Sequence, residues 1–193
     1  GMMGVVRGLA KWMADNQAVY PPESWLDQLM AMEEPQQFWP LPPGVWIVLG
    51  LALFMAVLMQ RTVFGRRVFA IGSNEATARL CGVRVGWHKL MVYALGGLFF
   101  GIAGMIQFGR LTQGDPSAAV GLELDVIAAV VIGGASLSGG QGSIAGSMIG
   151  ALMMAVLRNG SSQMEWPNYM QEIIIGAVII LAVGVDRLRA RST

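Results

Sequence analysis

The apolar residues of this chain are gathered into long uncharged runs, with the polar residues confined to the intervals between them. Residues 44–60 begin GVWIVLGLALFMAVLM and carry no charge; Gln60 and Arg61 close the run with long side chains that can reach back to lipid headgroups. Residues 89–109, built on LMVYALGGLFFGIAGMIQFG, supply the run of about 20 residues that a hydrocarbon core of about 30 Å requires. Both are expected to be spanning helices. Residues 126–138 and 143–157 are apolar but shorter, and SGGQGS joins them. They are expected to be two short helices meeting at a glycine-rich elbow inside a bundle, where protein covers irregular backbone. Residues 169–186 form a further span, and residues 1–14 a partial one, too short to cross alone.

Composition and charge give these runs an orientation. Of 193 residues, 54% are hydrophobic and 13% charged, a balance too apolar for a soluble domain of this size. The net charge of +1 hides a sharp segregation. Residues 61–88 and the adjoining Lys89 contain Arg61, Arg66, Arg67, Arg79 and Arg84 against a single acid, Glu75, so this loop is expected on the cytoplasmic side. Residues 15–43 hold Asp15, Glu23, Asp27, Glu33 and Glu34 without a basic residue, as an outer, periplasmic loop would. Within it SWLDQLMAM reads as a short surface helix, and Phe38, Trp39 and Trp46 as an interfacial aromatic belt. Arg187, Arg189 and Arg191 place the C-terminus in the cytoplasm. The expected fold is all-α, a polytopic transmembrane helix bundle.

Small and polar residues inside the spans are the next candidates for function. Gly142, Gly146 and Gly150 recur every fourth residue, and Gly97 and Gly101 repeat the spacing, as helix faces that touch backbone to backbone do. Gln107, Asp125 and Gln171 are polar groups in or at the ends of spans, and each is a candidate for lining a translocation path. Headgroup or outer-water contact is the competing reading for those near helix ends.

Leu137–Gln141 spells LSGGQ, a word found in ATP-binding subunits of ABC transporters. The chain has no GxxxxGK[ST] phosphate loop, its only lysines being Lys11 and Lys89, so the word lacks the context that ATP binding requires. It reads instead as the elbow. His88 is the only histidine, beside Trp87 and Lys89, and is expected to anchor at the interface; neither a metal site nor a catalytic triad can be assembled around it. Cys81 is the only cysteine, so no internal disulfide is available. No cofactor is expected, and no enzymatic activity.

Within the basic loop, Ser73 and Asn74 are N-cap residues, Glu75 suits a first helical turn, and Gly82 is a stop signal. They predict a helix over Glu75–Cys81, with Ala76, Ala78 and Leu80 as a small apolar surface. Such a helix suits docking into another protein's groove, and equally serves as a plain connector.

The words GRRVFAIGSNEATARLCGVRV and GLELDVIAAVVIGGASLSGGQGSIAGSMIGAL, with the span between them, resemble the membrane-spanning permease subunits of bacterial ABC importers for monosaccharides, of the ribose, xylose and arabinose type. The likeness runs from Arg61 to Asp186, and Gly1–Leu9 is similar to the family's mid-chain helix, which implies the C-terminal portion of a single permease domain. In that family the pattern G-x-N-E-A-x-x-x-x-x-G carries a coupling helix that sits in a cleft of a separate ATPase subunit. Here it falls on Gly72, Asn74, Glu75, Ala76 and Gly82, with Arg79 and Leu80 inside it. The partners so implied are an ABC ATPase subunit, a second permease copy, a periplasmic sugar-binding protein, a monosaccharide substrate and membrane lipid; no nucleic acid is among them. The bacterial inner membrane is the implied location and alternating access the implied mechanism. Residues 15–43 have no counterpart in the pattern. A secondary transporter or channel-like bundle, and a membrane scaffold, are the competing classes.

Overall fold

The structure is a computed structural model in which residues 2–20, 42–116, 119–165 and 167–191 are described. The surface helix expected at SWLDQLMAM and the aromatic pair Phe38 and Trp39 lie outside the described residues. The described residues form helices α1 (Met2–Met13), α2 (Pro43–Arg61), α3 (Val63–Ser73), α4 (Glu75–Leu80), α5 (Val85–Leu111), α6 (Leu122–Ile132), α7 (Ile144–Gln163) and α8 (Asn168–Arg191). Among them the only extended pairing is an isolated bridge between Val19 and Gly114, which exchange both backbone hydrogen bonds at 2.9 Å. The all-α expectation is met.

Among the described residues, two helices are long and apolar enough to cross a membrane. α2 has 19 residues and α5 has 27, about 28 and 40 Å at 1.5 Å per residue. The most apolar stretch of α5 buries nothing within the described residues, while Leu98, Phe100 and Met105 stand exposed along it. In water such a surface would drive aggregation. In a bilayer it is the solvent-facing side.

The helix boundaries differ from those expected at several points. Residues 61–88 are not a loop with one short helix: α3 and the first turn of α5 occupy much of it. Thr62 makes α3 possible by serving two helices at once. Its hydroxyl donates to the Leu58 carbonyl at 2.6 Å and accepts from the Gly65 N–H at 3.3 Å, closing α2 and capping α3. Gly65 permits the bend, because a side chain there would run into the Met59 carbonyl. α5 begins at Val85, where the His88 N–H and ring Nδ1 both reach the Arg84 carbonyl, at 3.2 and 2.9 Å. α7 runs to Gln163, six residues beyond its expected end, and α6 stops at Ile132, six short of its own.

The chain divides into two compact units, Gly1–Leu51 with Lys89–Val120 and Ala52–His88 with Gly121–Thr193. The second unit holds the packed core: Ala128 and Ala129 of α6, Met154 of α7 and Ile175 of α8, flanked by Ile132 and Ile179. α6 and α7 form an antiparallel hairpin whose axes close to backbone contact near the elbow. Side chains at Gly146 and Gly150 would strike the carbonyls of Gly133 and Ala129, so both positions require glycine. Lipid gives apolar helices no reason to associate beyond packing and polar contacts, and close approach at small residues supplies the packing.

This seam yields a stability prediction. Gly150→Ala gains helix propensity yet drives a methyl into the Ala129 carbonyl, and it is expected to cost about 1–3 kcal/mol through overpacking. Gly160→Ala on the same helix meets open space and should hold or raise stability, by up to about 1 kcal/mol. Thermal unfolding of the two variants in detergent checks the contrast.

Candidate functional site

The residues of the basic loop build a rigid shoulder on the second unit. Asn74 is the joint between α3 and α4: its N–H donates to the Ala70 carbonyl at 3.0 Å while its side-chain Oδ1 accepts from the Thr77 N–H at 3.0 Å. At the other end, the Val83 N–H reaches the Ala78 carbonyl at 3.1 Å and the Gly82 N–H the Arg79 carbonyl at 3.0 Å. This is a Schellman termination, and Gly82 takes the left-handed conformation it needs, φ 78°. A six-residue helix cannot hold itself in water; α4 is held by caps at both ends and by burial of Ala78, which is 4% exposed.

The burial of Ala78 redraws the apolar face of α4. Ala78 turns inward, whereas Leu80, 89% exposed, and Ala76 lie four residues apart on the outward side. Beside them Arg79 and Glu75 form an ion pair at 2.7 Å. Cys81 is exposed at the helix end. Gly72 does not join this outward surface: it lies in the last turn of α3, where a side chain would come within 2.6 Å of the Gly140 backbone nitrogen. His88 is buried rather than interfacial, its ring stacked on Phe64 at a centroid distance of 6.0 Å.

LSGGQ and its neighbours form a hydrogen-bonded connection between α6 and α7. α6 ends in its own Schellman termination, with Ala135 N–H to the Val130 carbonyl at 3.1 Å and Gly134 N–H to the Val131 carbonyl at 2.9 Å. Ser136 then starts a turn, donating its N–H to the Gln141 carbonyl at 3.1 Å and accepting from the Gly139 N–H at 3.2 Å through its carbonyl. Ser143 caps α7, its hydroxyl accepting from the Gly146 N–H at 3.0 Å.

At the far end of the hairpin, Asp125 and Arg158 meet at 2.6 Å. Asp125 lies in the first turn of α6, where the helix dipole favours an anion, and its side chain is 12% exposed against 49% for Arg158. Reading the sequence alone misses Arg158. Its signal is the four-residue spacing Gly146, Gly150, Met154, Arg158, one stripe along α7. Gln171 is half-buried in the first turn of α8, also in the second unit. Gln107 is half-buried in α5, in the first unit. A side chain at Gly97 or Gly101 would meet nothing within 4 Å among the described residues, while one at Gly142 would come within 3.0 Å of the Ala135 Cβ. Among the described residues no cluster of His, Cys, Asp and Glu could hold a metal ion.

Two lipid-length helices with exposed apolar sides, α2 and α5, and a separate pair, α6 and α7, packed through glycine fit a multi-pass helical membrane protein. The chain belongs to the family described as the permease component of the branched-chain amino acid transport system, which matches residues 2–183. It is 50% identical over 151 residues to the xylose transport system permease protein of Escherichia coli (strain K12), covering 78% of this chain and 38% of that protein. It is 44% identical over 146 residues to the ribose import permease protein of the same strain, and 43% identical over 148 residues to that of Bacillus subtilis (strain 168). These alignments cover 76% and 77% of this chain and 46% of each relative, so the chain spans less than half the length of the curated relatives it matches. No solved structure matches the chain.

The polar pair generates the prediction here. Replacing Asp125 by Asn strands a guanidinium beside a mostly buried partner and is expected to cost about 1–3 kcal/mol, between the values for exposed and fully buried pairs. A thermal double-mutant cycle with Arg158→Gln should return a favourable coupling energy; strict additivity would mean that the contact contributes nothing.

Proposed function

We propose that this chain is part of the translocation subunit of an ATP-driven importer of monosaccharides, and that α4 is the helix through which a separate ATPase subunit drives it. The observation that carries the reading is the outward face of α4. Leu80 is almost wholly exposed on a short helix capped at both ends and anchored through Ala78. A connector has no need of so rigid a hold on so exposed a side chain. A helix that must push has both needs, since force passes through a stiff element and affinity comes from apolar anchors entering a groove. Glu75 and Arg79 add a polar rim to Ala76 and Leu80.

Relatives named for xylose and ribose transport support a sugar, and pentoses are the first substrates to test. The basic residues around α3 and α4 support a cytoplasmic position for this surface, with the C-terminus on the same side. In this arrangement the protein lies in the bacterial cytoplasmic membrane and works beside a second permease copy. A periplasmic binding protein delivers the sugar, and the ATPase partner carries out all bond chemistry. Closure of the ATPase displaces α4, and the bundle exchanges outward-open for inward-open packing. Gln107, Asp125 and Gln171 are the polar candidates along the path; Asp125, engaged by Arg158, serves first as a structural tie.

Leu80→Asp tests the reading with little risk to the fold, because the side chain is already exposed. In the full-length permease it is expected to abolish co-purification of the ATPase subunit and ATP-dependent pentose uptake while leaving the melting temperature unchanged. Undiminished retention of the ATPase and undiminished uptake would refute a docking role for α4.

A further inference from the structure

The glycine turn between α6 and α7 makes an intimate contact with the segment that leads into α4. A side chain at Gly139 would lie 2.7 Å from the Gly72 carbonyl oxygen, and one at Gly140 would lie 2.9 Å from both Cα and Cβ of Ser73. In the reverse direction, a side chain at Gly72 would lie 2.6 Å from the Gly140 nitrogen. Main chain therefore rests on main chain, the Ser73 Cβ being the one side-chain atom among these contacts. Gly72 and Ser73 are the last residues of α3, and the next residue, Asn74, caps α4. Gly139 and Gly140 have φ of 92° and 77°, and Gly134 in the same connection has φ of 86°. The three share the left-handed conformation, yet a side chain at Gly134 meets nothing within 4 Å.

We propose that Gly139 and Gly140 are positioning residues that key the α6–α7 connection to the base of α4, so that movement of α4 is delivered directly to the α6–α7 hairpin. This rests on the importer reading and assigns its transmission step. A contact between side chains would yield through rotamer changes before it passed a displacement on. Two backbones in van der Waals contact have no such slack. The hairpin beyond the contact is itself stiff, since its seam is glycine against backbone at Gly146 and Gly150 and its far end is tied by Asp125 and Arg158. A push at the elbow accordingly reaches the Asp125 end of α6 rather than dissipating locally. The LSGGQ word thus has a mechanical role that involves no nucleotide.

The test uses the full-length permease reconstituted with its ATPase subunit and binding protein in proteoliposomes, measuring sugar accumulated per ATP hydrolysed. Gly139→Ala and Gly140→Ala are expected to lower that ratio about tenfold, within the usual range of coupling free energies. Gly134→Ala, with the same backbone strain and no clash, should keep the wild-type ratio. Equal ratios in all three variants overturn the inference, as does a loss in Gly134→Ala matching the other two. Absence of ATP-driven uptake by the unaltered complex removes the importer reading, and the inference with it.

A second measurement decides the matter if the alanine variants fail to assemble. Spin labels at Ala70 and Ser138, both exposed, in a Cys81→Ser background report on the contact between nucleotide-free and ATP-trapped states. Keying predicts a constant distance within the chain, to within the about 1–2 Å of ordinary helix adjustment, while the Ser138 separation across the permease dimer changes. A larger change within the chain, or none across the dimer, overturns it.

Discussion

Everything in the second unit depends on helices approaching until their backbones touch. In lipid, burying leucine against leucine gains little over burying it against an acyl chain, so a bundle must hold itself through packing that lipid cannot imitate. Gly146 against Gly133 and Gly150 against Ala129 meet that requirement. Farther from the elbow Met154 packs into the core with Ala128 and Ala129, and Arg158 pairs with Asp125 through a guanidinium and a carboxylate. One stripe of α7 thus runs from glycine through methionine to arginine, fixing the register of the pair. α8 completes the core through Ile175 and Ile179.

The same economy of space recurs outside the seam. The α3–α4 shoulder meets the α6–α7 connection through Gly72, Gly139 and Gly140, again main chain to main chain. On the proposed reading of α4 as a docking element, the caps give rigidity and the inward turn of Ala78 gives attachment, leaving the exposed Leu80 for a partner. Attachment, stiffness and an exposed anchor are separate requirements, and different residues of one short helix meet them.

Much of this was legible in the sequence because it rests on local chemistry. Uncharged runs announce helices in lipid, and the Asn74 and Gly82 signals bound α4 to within a residue of the structure. The helix α3 was hidden by its context. Arg66 and Arg67 make residues 61–88 look like solvated loop, although Thr62 offers an N-cap and Phe64, Val68, Phe69 and Ile71 supply an apolar face. The partner of Asp125 was not legible, since pairing across a hairpin depends on a register that only the glycine seam determines. His88 misled for a related reason: its neighbours Trp87 and Lys89 suggest an interface, while its burial comes from Phe64, more than twenty residues away along the chain. The elbow's contact with α3 likewise joins segments far apart in sequence, and no periodicity announces it.

Thr62 and Asn74 each join two helices with a single residue, and each is hydrogen-bonded on both sides. The route from the membrane helix α2 through α3 to α4 therefore has the character of a cranked lever rather than a tether. A tether transmits tension alone and goes slack under compression. A crank with stiff corners carries thrust and torque in either direction, so on the proposed docking reading a partner seated on α4 drives the return stroke as well as the forward one.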